Sequence, residues 1–333
     1  MEINILITSS GNVNGKRLLK SAQENSNIKN LKVYGTDIKK NTIKNIFHVP
    51  PVNSSRYFEK ITKIINKYKI KLLVPGSDEE AIFFSKIKKK VQKLKCTICS
   101  IDYSILKNFS NKKSTYQVLN KSKIRSALWF ESKNEKELDK HIKILKEKNK
   151  EIVIKPVFSR GGRNVIVIHK RLKKIIKKNF GKEIHLNENI FSKTYKKKLQ
   201  KLYPLITMEK LYEPAYDMDM LCWKGKLLKL TVRKRIGAQG IDGCIIEFNK
   251  PEFLNYAKKI SRAFKLSWLY DGDLMFDKKR KPVLIELNPR ISGSLYSCVE
   301  NKINFIDDLV YLSLGKISKI KKIKLNKNLI VKK

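Results

Sequence analysis

Through the N-terminal third of the chain, short apolar runs alternate with apolar residues at helical spacing. INILITSSG (3–11) reads as a strand entering a glycine turn, LKVYGTD (31–37) as a second strand, IKLLVPGSD (70–78) as a third and CTICSI (96–101) as a fourth. Between them, residues 16–24 are helix-like and Phe58, Ile61, Ile64, Ile65 and Tyr68 recur on one helical face. A further helix covers about 79–94, and Asp78, Glu79 and Glu80 begin it, where carboxylates favour the positive end of the helix dipole. Strand and helix in alternation predict a parallel sheet covered by helices, an α/β layout. Gly11, Gly15 and Asp37 imitate a dinucleotide fingerprint. Gly-Asn-Val-Asn-Gly is not G-x-G-x-x-G, however, and an NAD-dependent oxidoreductase is kept only as a competing reading.

Beyond residue 105 the texture changes. SILKNFSNKKSTYQVLN (104–120) is helical and basic, and KNEKELDKHIKILKEKN (133–149) is a charged helix. EIVIKPVFSRGGRNVIVI (151–168) reads as two strands, 152–157 and 165–168, around a Gly-Gly turn. Residues 170–204 are Lys-rich and poorly patterned, and are expected to be a helix plus a solvated insertion. From Leu205 strands dominate: LITMEKLY, YDMDMLCW, KLLKLTVRKR, WLYDGDLMF and PVLIEL, with helices at 252–264 and 305–314. This part is therefore α+β.

Composition narrows the function classes. A chain of 333 residues, 41% of them apolar, suits roughly two globular domains. The formal net charge of +44 invites a nucleic-acid reading, but only 11 of 74 basic residues are Arg and the Lys are scattered throughout. With no recognition-helix motif, zinc finger or aromatic RNP run, composition argues against nucleic acid as partner. A basic nucleic-acid-binding protein, or an inactive enzyme relative, is retained as an alternative. The charge also favours anionic substrates such as nucleotides. Cys96 and Cys99 lack a second pair at zinc spacing, so the five Cys read as small hydrophobes in a reduced compartment. No membrane-length apolar run and no signal peptide are seen, and a cytoplasmic protein is expected.

The candidate chemistry begins in YDGDLMFDKKRKPVLIELNPR. With Lys278, Lys279, Arg280 and Lys281 as the turn, Asp277 pairs with Pro282 and Asp273 falls opposite Glu286. Period-2 alternation then puts Asp271, Asp273, Glu286 and Asn288 on one face. Carboxylates so placed repel, and an all-oxygen set suits Mg²⁺ or Mn²⁺ rather than Zn²⁺. Arg290 offers a planar fork for phosphate or carboxylate. A second constellation lies in IKPVFSRGGRN. Lys155 sits inside an apolar strand, which predicts a buried anionic partner, and Ser159, Arg160, Gly161 and Gly162 form a turn whose N–H groups suit phosphate oxygens.

Together these segments resemble the ATP-grasp superfamily, most closely its carbamoyl-phosphate-synthase-like and D-alanine–D-alanine-ligase-like branches. The resemblance implies a pre-ATP-grasp Rossmann-like domain (1–105) and an ATP-grasp domain (106–318). The latter would divide into a lid at about 112–207 and a metal and substrate subdomain at about 208–318, before a basic tail (319–333). LIELNPRISGS looks like the family's Glu-x-Asn-Pro-Arg strand, which implies Glu286 and Asn288 as metal ligands, with Asp273 as the upstream acid. Lys155 and Lys112 are similar to its nucleotide lysines, although Asn111 replaces the Asp that usually precedes the latter. Ser159, Gly161 and Gly162 resemble its phosphate loop, and Glu209, Lys210 and Leu211 its adenine hinge. Arg290 and Arg233 would be the catalytic arginines, the second on the substrate side. Ala215 stands where relatives place a ribose-binding Glu, so either Asp217 substitutes or the ribose is held otherwise.

The resemblance implies an ATP- and Mg²⁺-dependent ligase (Mn²⁺ serving as well) that makes an acyl phosphate from a carboxylate and hands the acyl group to an amine. The partners implied are small molecules, and many relatives pair as homodimers. The sequence does not identify the carboxylate or the amine.

Overall fold

Ile5, Leu6 and Ile7 are buried on both faces of their strand, which fixes it at the centre of a sheet. A computed structural model describes residues 2–158, 163–178, 181–237, 240–323 and 325–332. Five parallel strands, β1 (Ile3–Ile7), β2 (Leu31–Asp37), β3 (Ile46–His48), β4 (Ile70–Val74) and β5 (Thr97–Ile98), lie in the order β3-β2-β1-β4-β5. Helices α1 (Val13–Glu24), α2 (Tyr57–Lys67) and α3 (Asp78–Gln92) connect them. β3 was not expected, because three residues are too few for a period to register.

The helix start at Asp78 is as predicted, with Ser77 Oγ accepting the Glu80 N–H at 3.3 Å. Glu80 itself turns inward. Its carboxylate accepts from the hydroxyls of Thr8, Ser9 and Tyr57, each at 2.7 Å, and from Ser77 at 2.9 Å. Asp37 accepts the Gly11 N–H at 2.9 Å, and a Cβ on Gly11 would fall 2.6 Å from the Asp37 Cβ, so only glycine closes this turn. The Asp37 carboxylate is thus engaged by the turn itself.

Two short helices, α4 (Tyr103–Leu106) and α5 (Lys112–Lys121), lead to a second sheet. It holds β6 (Trp129–Ser132), β7 (Ile152–Pro156), β8 (Val165–Ile168), β9 (Ile176–Lys178), β10 (Glu183–Leu186) and β11 (Leu205–Glu209), in the order β6-β11-β7-β8-β10-β9. The amphipathic helix α6 (Glu135–Glu147) buries Leu138, Ile142 and Leu145 against it. Residues 170–204 differ from expectation. They supply β9, β10, the turn α7 (Glu188–Ile190) and further helical turns, with Leu186, Phe191 and Leu199 in the lid core. The intervening lysines isolate each apolar anchor, so no period shows.

The third sheet is antiparallel: β12 (Tyr212–Trp223), β13 (Lys226–Ile236), β14 (Gly243–Ile246), β15 (Trp268–Phe276), β16 (Pro282–Asn288) and β17 (Leu329–Lys332), in the order β16-β15-β12-β13-β14-β17. Helices α8 (Pro251–Ala263), α9 (Tyr296–Glu300) and α10 (Phe305–Ser313) complete it. Two segments outside 208–318 pack with it. Residues 319–333 are not only a basic tail, because β17 adds an edge strand with Val331 opposite Cys244. And α5 buries Tyr116 and Leu119 in the core shared with the third sheet, not in the separate core of the second.

The N-terminal domain is clamped to the third sheet. Arg17 forks onto Glu300 at 3.0 and 2.8 Å and lies 4.1 Å from the centre of the Tyr296 ring. Asp307 accepts from Ser26 Oγ at 2.7 Å and the Asn27 N–H at 2.8 Å. Among the described residues, no helix is long and apolar enough to cross a membrane.

Candidate active site

Strand register builds the site. Across β13, β12, β15 and β16, one row reads Arg233, Asp217, Asp273, Glu286 and the next reads Thr231, Asp219, Asp271, Asn288. Residues two apart on a strand share a face, so both rows look the same way. Five carboxylates from three adjacent strands therefore stand side by side, an arrangement that opposes folding unless cations intervene.

Three guanidinium groups intervene. Arg233 is fully buried. It grips Asp219 with Nε at 2.7 Å and Nη2 at 3.0 Å, and donates to Ser294 Oγ at 2.6 Å and Ser292 Oγ at 2.9 Å. Arg235 donates to Asp217 from Nε at 2.9 Å and from Nη2, and Nη2 also reaches Asp273 Oδ1 at 2.6 Å. Arg290 donates to Asp271 Oδ2 at 2.9 Å and pairs with Asp78 across the domain boundary at 3.3 Å. The match is still incomplete. Among the described residues Asp271 Oδ1 is buried without a hydrogen-bond partner, and ligand atoms of Asp217, Asp271 and Asp273 all lie within 4.8 Å of one another. Burial, reinforced by Asp273, pushes the Asp271 carboxyl up to about 8. Burial also raises Asp273, with Arg235 opposing it. Burial acts on Asp217 too, but Arg233 and Arg235 outweigh it and hold that group low.

The hairpin reaches its expected facing by an unexpected route. Phe276, not Asp277, pairs with Pro282, and the ladder shifts between Asp273 and Leu274, where Ile285 is the extra residue. The two offsets cancel, so Asp273 faces Glu286 and Asp271 faces Asn288. The bulge has its own anchor: Tyr116 Oη donates to the Ile285 carbonyl at 2.7 Å.

Both predicted lysines meet this hairpin. Lys155 on β7 is buried and donates to Tyr116 Oη at 2.9 Å. Burial lowers its ammonium to about 8, with Glu286 and Asp273 partly compensating. Lys112 opens α5 behind Asn111, whose side chain caps the helix by accepting the Ser114 N–H at 2.9 Å. An amide caps as well as a carboxylate, so the Asn in place of Asp leaves the helix start intact. Lys112 Nζ lies 3.2 Å from Glu286 Oε1, and burial lowers its pKa against the pull of Glu286.

Other expectations fare differently. Ser159, Gly161 and Gly162 lie outside the described residues. Glu209 accepts the Leu128 N–H at 2.9 Å and pairs with Lys150, while Lys210 pairs with Glu151 at 2.8 Å and Leu211 is buried. Asp217 belongs to the carboxylate rows under two guanidiniums, not to an open ribose contact. Arg233, expected on the substrate side, is fully buried, with its donors engaged by Asp219, Ser292 and Ser294. Arg235 also reaches the site, and with Asp219 and Tyr116 it is absent from the sequence reading; alternation places Asp219 and Arg235 on the face of Asp217 and Arg233 but does not say which strands lie beside them.

None of the curated proteins matches the chain. A family model described as "ATP-grasp in the biosynthetic pathway with Ter operon" matches residues 201–333, and one described as "PylC-like, N-terminal domain" matches 5–99. Among solved structures, N5-carboxyaminoimidazole synthetase from Staphylococcus aureus complexed with ADP superposes with a TM-score of 0.70 at 14% identity, covering 98% of this chain and 82% of that one. L-amino acid ligase from Bacillus licheniformis gives 0.62 at 15% identity, over 96% and 77%. A biotin carboxylase nucleotide complex from Campylobacter jejuni gives 0.63 at 15%, over 94% and 71%. The fold is that of ATP-grasp enzymes along nearly the whole chain. By its family model the C-terminal part, residues 201–333, is of the ATP-grasp family.

Proposed function

We propose that this protein is an ATP-dependent ligase that joins a carboxylate to an amine through an acyl phosphate. The observation that carries the reading is the unbonded, buried Asp271 Oδ1 within a crowded row of acids, beside two buried lysines. An oxygen-only donor set with a carboxylate oxygen left unbonded fits Mg²⁺, and Mn²⁺ by the same chemistry. Asp273, Glu286 and Asn288 would hold the ion, with Asp271 adjoining them. When bound, such an ion neutralises triphosphate charge and orients the transferred group.

The chain's own residues do the rest. Lys155 and Lys112 bind phosphate oxygens, and Arg290 neutralises charge on the transferred phosphoryl group from the N-terminal side. Ser159, Gly161 and Gly162 cover the phosphates with backbone N–H groups and exclude water. Glu209, Lys210 and Leu211 line the adenine. A substrate carboxylate oxygen attacks the γ-phosphorus as the bond to the ADP oxygen breaks. The amine nitrogen then attacks the acyl carbon, phosphate leaves with the C–O bonding electrons, and the amine proton passes to solvent. Positioning and charge suffice, with no protein nucleophile. The substrates are small molecules and ATP.

The test is ADP release with Mg²⁺ against panels of carboxylates and amines, with products identified by mass spectrometry. A carboxylate-dependent ADP signal and an amide product are expected. ATP binding without turnover on any pair would overturn the ligase reading in favour of an inactive relative.

A further inference from the structure

Arg233 and Arg235 stand two residues apart on β13, yet they are held in opposite ways. Arg233 is enclosed by Asp219, Ser292 and Ser294 and has no exposure. Arg235 keeps 22% of its side chain exposed, and its hydrogen bonds run to Asp217 and Asp273 alone among the described residues. Its stem runs beside Gly240, where a Cβ would come 3.6 Å from the Arg235 Cγ. The two carboxylates it bridges are two of the three whose oxygens converge within 4.8 Å.

We infer that Arg235 is an exchangeable internal cation: it occupies the acid cluster in the metal-free protein and yields Asp217 and Asp273 to the incoming divalent ion. This rests on the metal site of the proposed function. A divalent ion bonded to Asp273 at about 2.1 Å leaves no room for a guanidinium on the same oxygen, and the two positive charges repel. A partly exposed stem lets the fork swing out of the sheet, while the enclosed Arg233 stays. The released fork is then free to meet a phosphoryl group, an anion that its planar donors suit. The acids are thereby neutralised in both states, by arginine when empty and by metal when loaded.

Calorimetric titration with Mn²⁺ alone, without nucleotide, tests the exchange in wild-type protein, R235Q and R235K. R235Q should bind Mn²⁺ at least tenfold tighter than wild type, because no internal cation has to leave, and should bind Mn²⁺–ADP less tightly relative to Mn²⁺ alone. R235K, which keeps the charge and loses the fork, should fall between them and serves as the readout if R235Q does not fold. Equal or weaker Mn²⁺ binding by the variants, with Mn²⁺–ADP binding retained in wild type, overturns the exchange and leaves the ligase reading standing. No binding of Mn²⁺–ADP by wild type overturns both.

Discussion

Glu80, on helix α3 of the N-terminal domain, and Asp271, on β15 of the third sheet, are buried to nearly the same degree, 5% and 4% exposed. Glu80 accepts from four hydroxyls, all neutral, and has no carboxylate beside it in the hydrogen-bond network. Asp271 accepts from one guanidinium and one amide on a single oxygen, leaves the other unbonded, and faces Asp219 directly across the ladder. Burial alone therefore does not mark a site. A carboxylate supplied with enough neutral donors holds a fold together, whereas one left short among like charges is set up to receive something positive.

The largest expected effect lies on the crowded side. Glu286→Ala should lower ADP release about 10³-fold, the order seen when one electrostatic contact to a reacting phosphoryl group is lost, with little change in melting temperature. Substrate-dependent ADP release at the wild-type rate would contradict the metal assignment. Next comes the satisfied side: Glu80→Ala strands the Thr8, Ser9 and Tyr57 hydroxyls and should cost about 2–4 kcal/mol in urea unfolding, with turnover per folded molecule unchanged. A variant as stable as wild type would erase the contrast.

Lys155 sharpens the comparison from the cationic side. Its ammonium titrates near 8 when folded against 10.5 in an unfolded chain, so between those values the unfolded state holds the extra proton. The Lys155 contribution to the stability of the nucleotide-free protein should rise with pH across that window, on the order of 1–3 kcal/mol, and be constant below it. Lys155→Met should remove this contribution and flatten the slope, read as urea midpoints from pH 7.5 to 10 against wild type. The smallest effect belongs to Arg17, half of a well-made surface clamp: Arg17→Ala should cost about 1 kcal/mol, and a loss above about 3 would mean that the domain boundary depends on it.

The parts of the site legible in the sequence are those set by local counting. The facing of Asp273 and Glu286 follows from a hairpin and a period of two, although the turn and the bulge at Ile285 both departed from that count and compensated. The roles of Asp219 and Arg235 depend on which strands pair, and β12 pairs with β15 across some fifty residues of chain, a neighbourhood that periodicity cannot convey. Tyr116 was invisible for the same reason, its partners lying on β7 and β16. In the N-terminal sheet four of five strands could be read because each is a buried apolar run, whereas the lid core between 170 and 204 was masked by lysines flanking single apolar anchors.

The phenol of Tyr116 has a single proton, which goes to the Ile285 carbonyl, so Lys155 meets only the lone pairs of its oxygen. An arriving phosphate can draw the ammonium away and water can take its place, without unbuckling the kinked ribbon beneath. The aim of the acids on β15 and β16 is in this way independent of the Lys155 contact from β7.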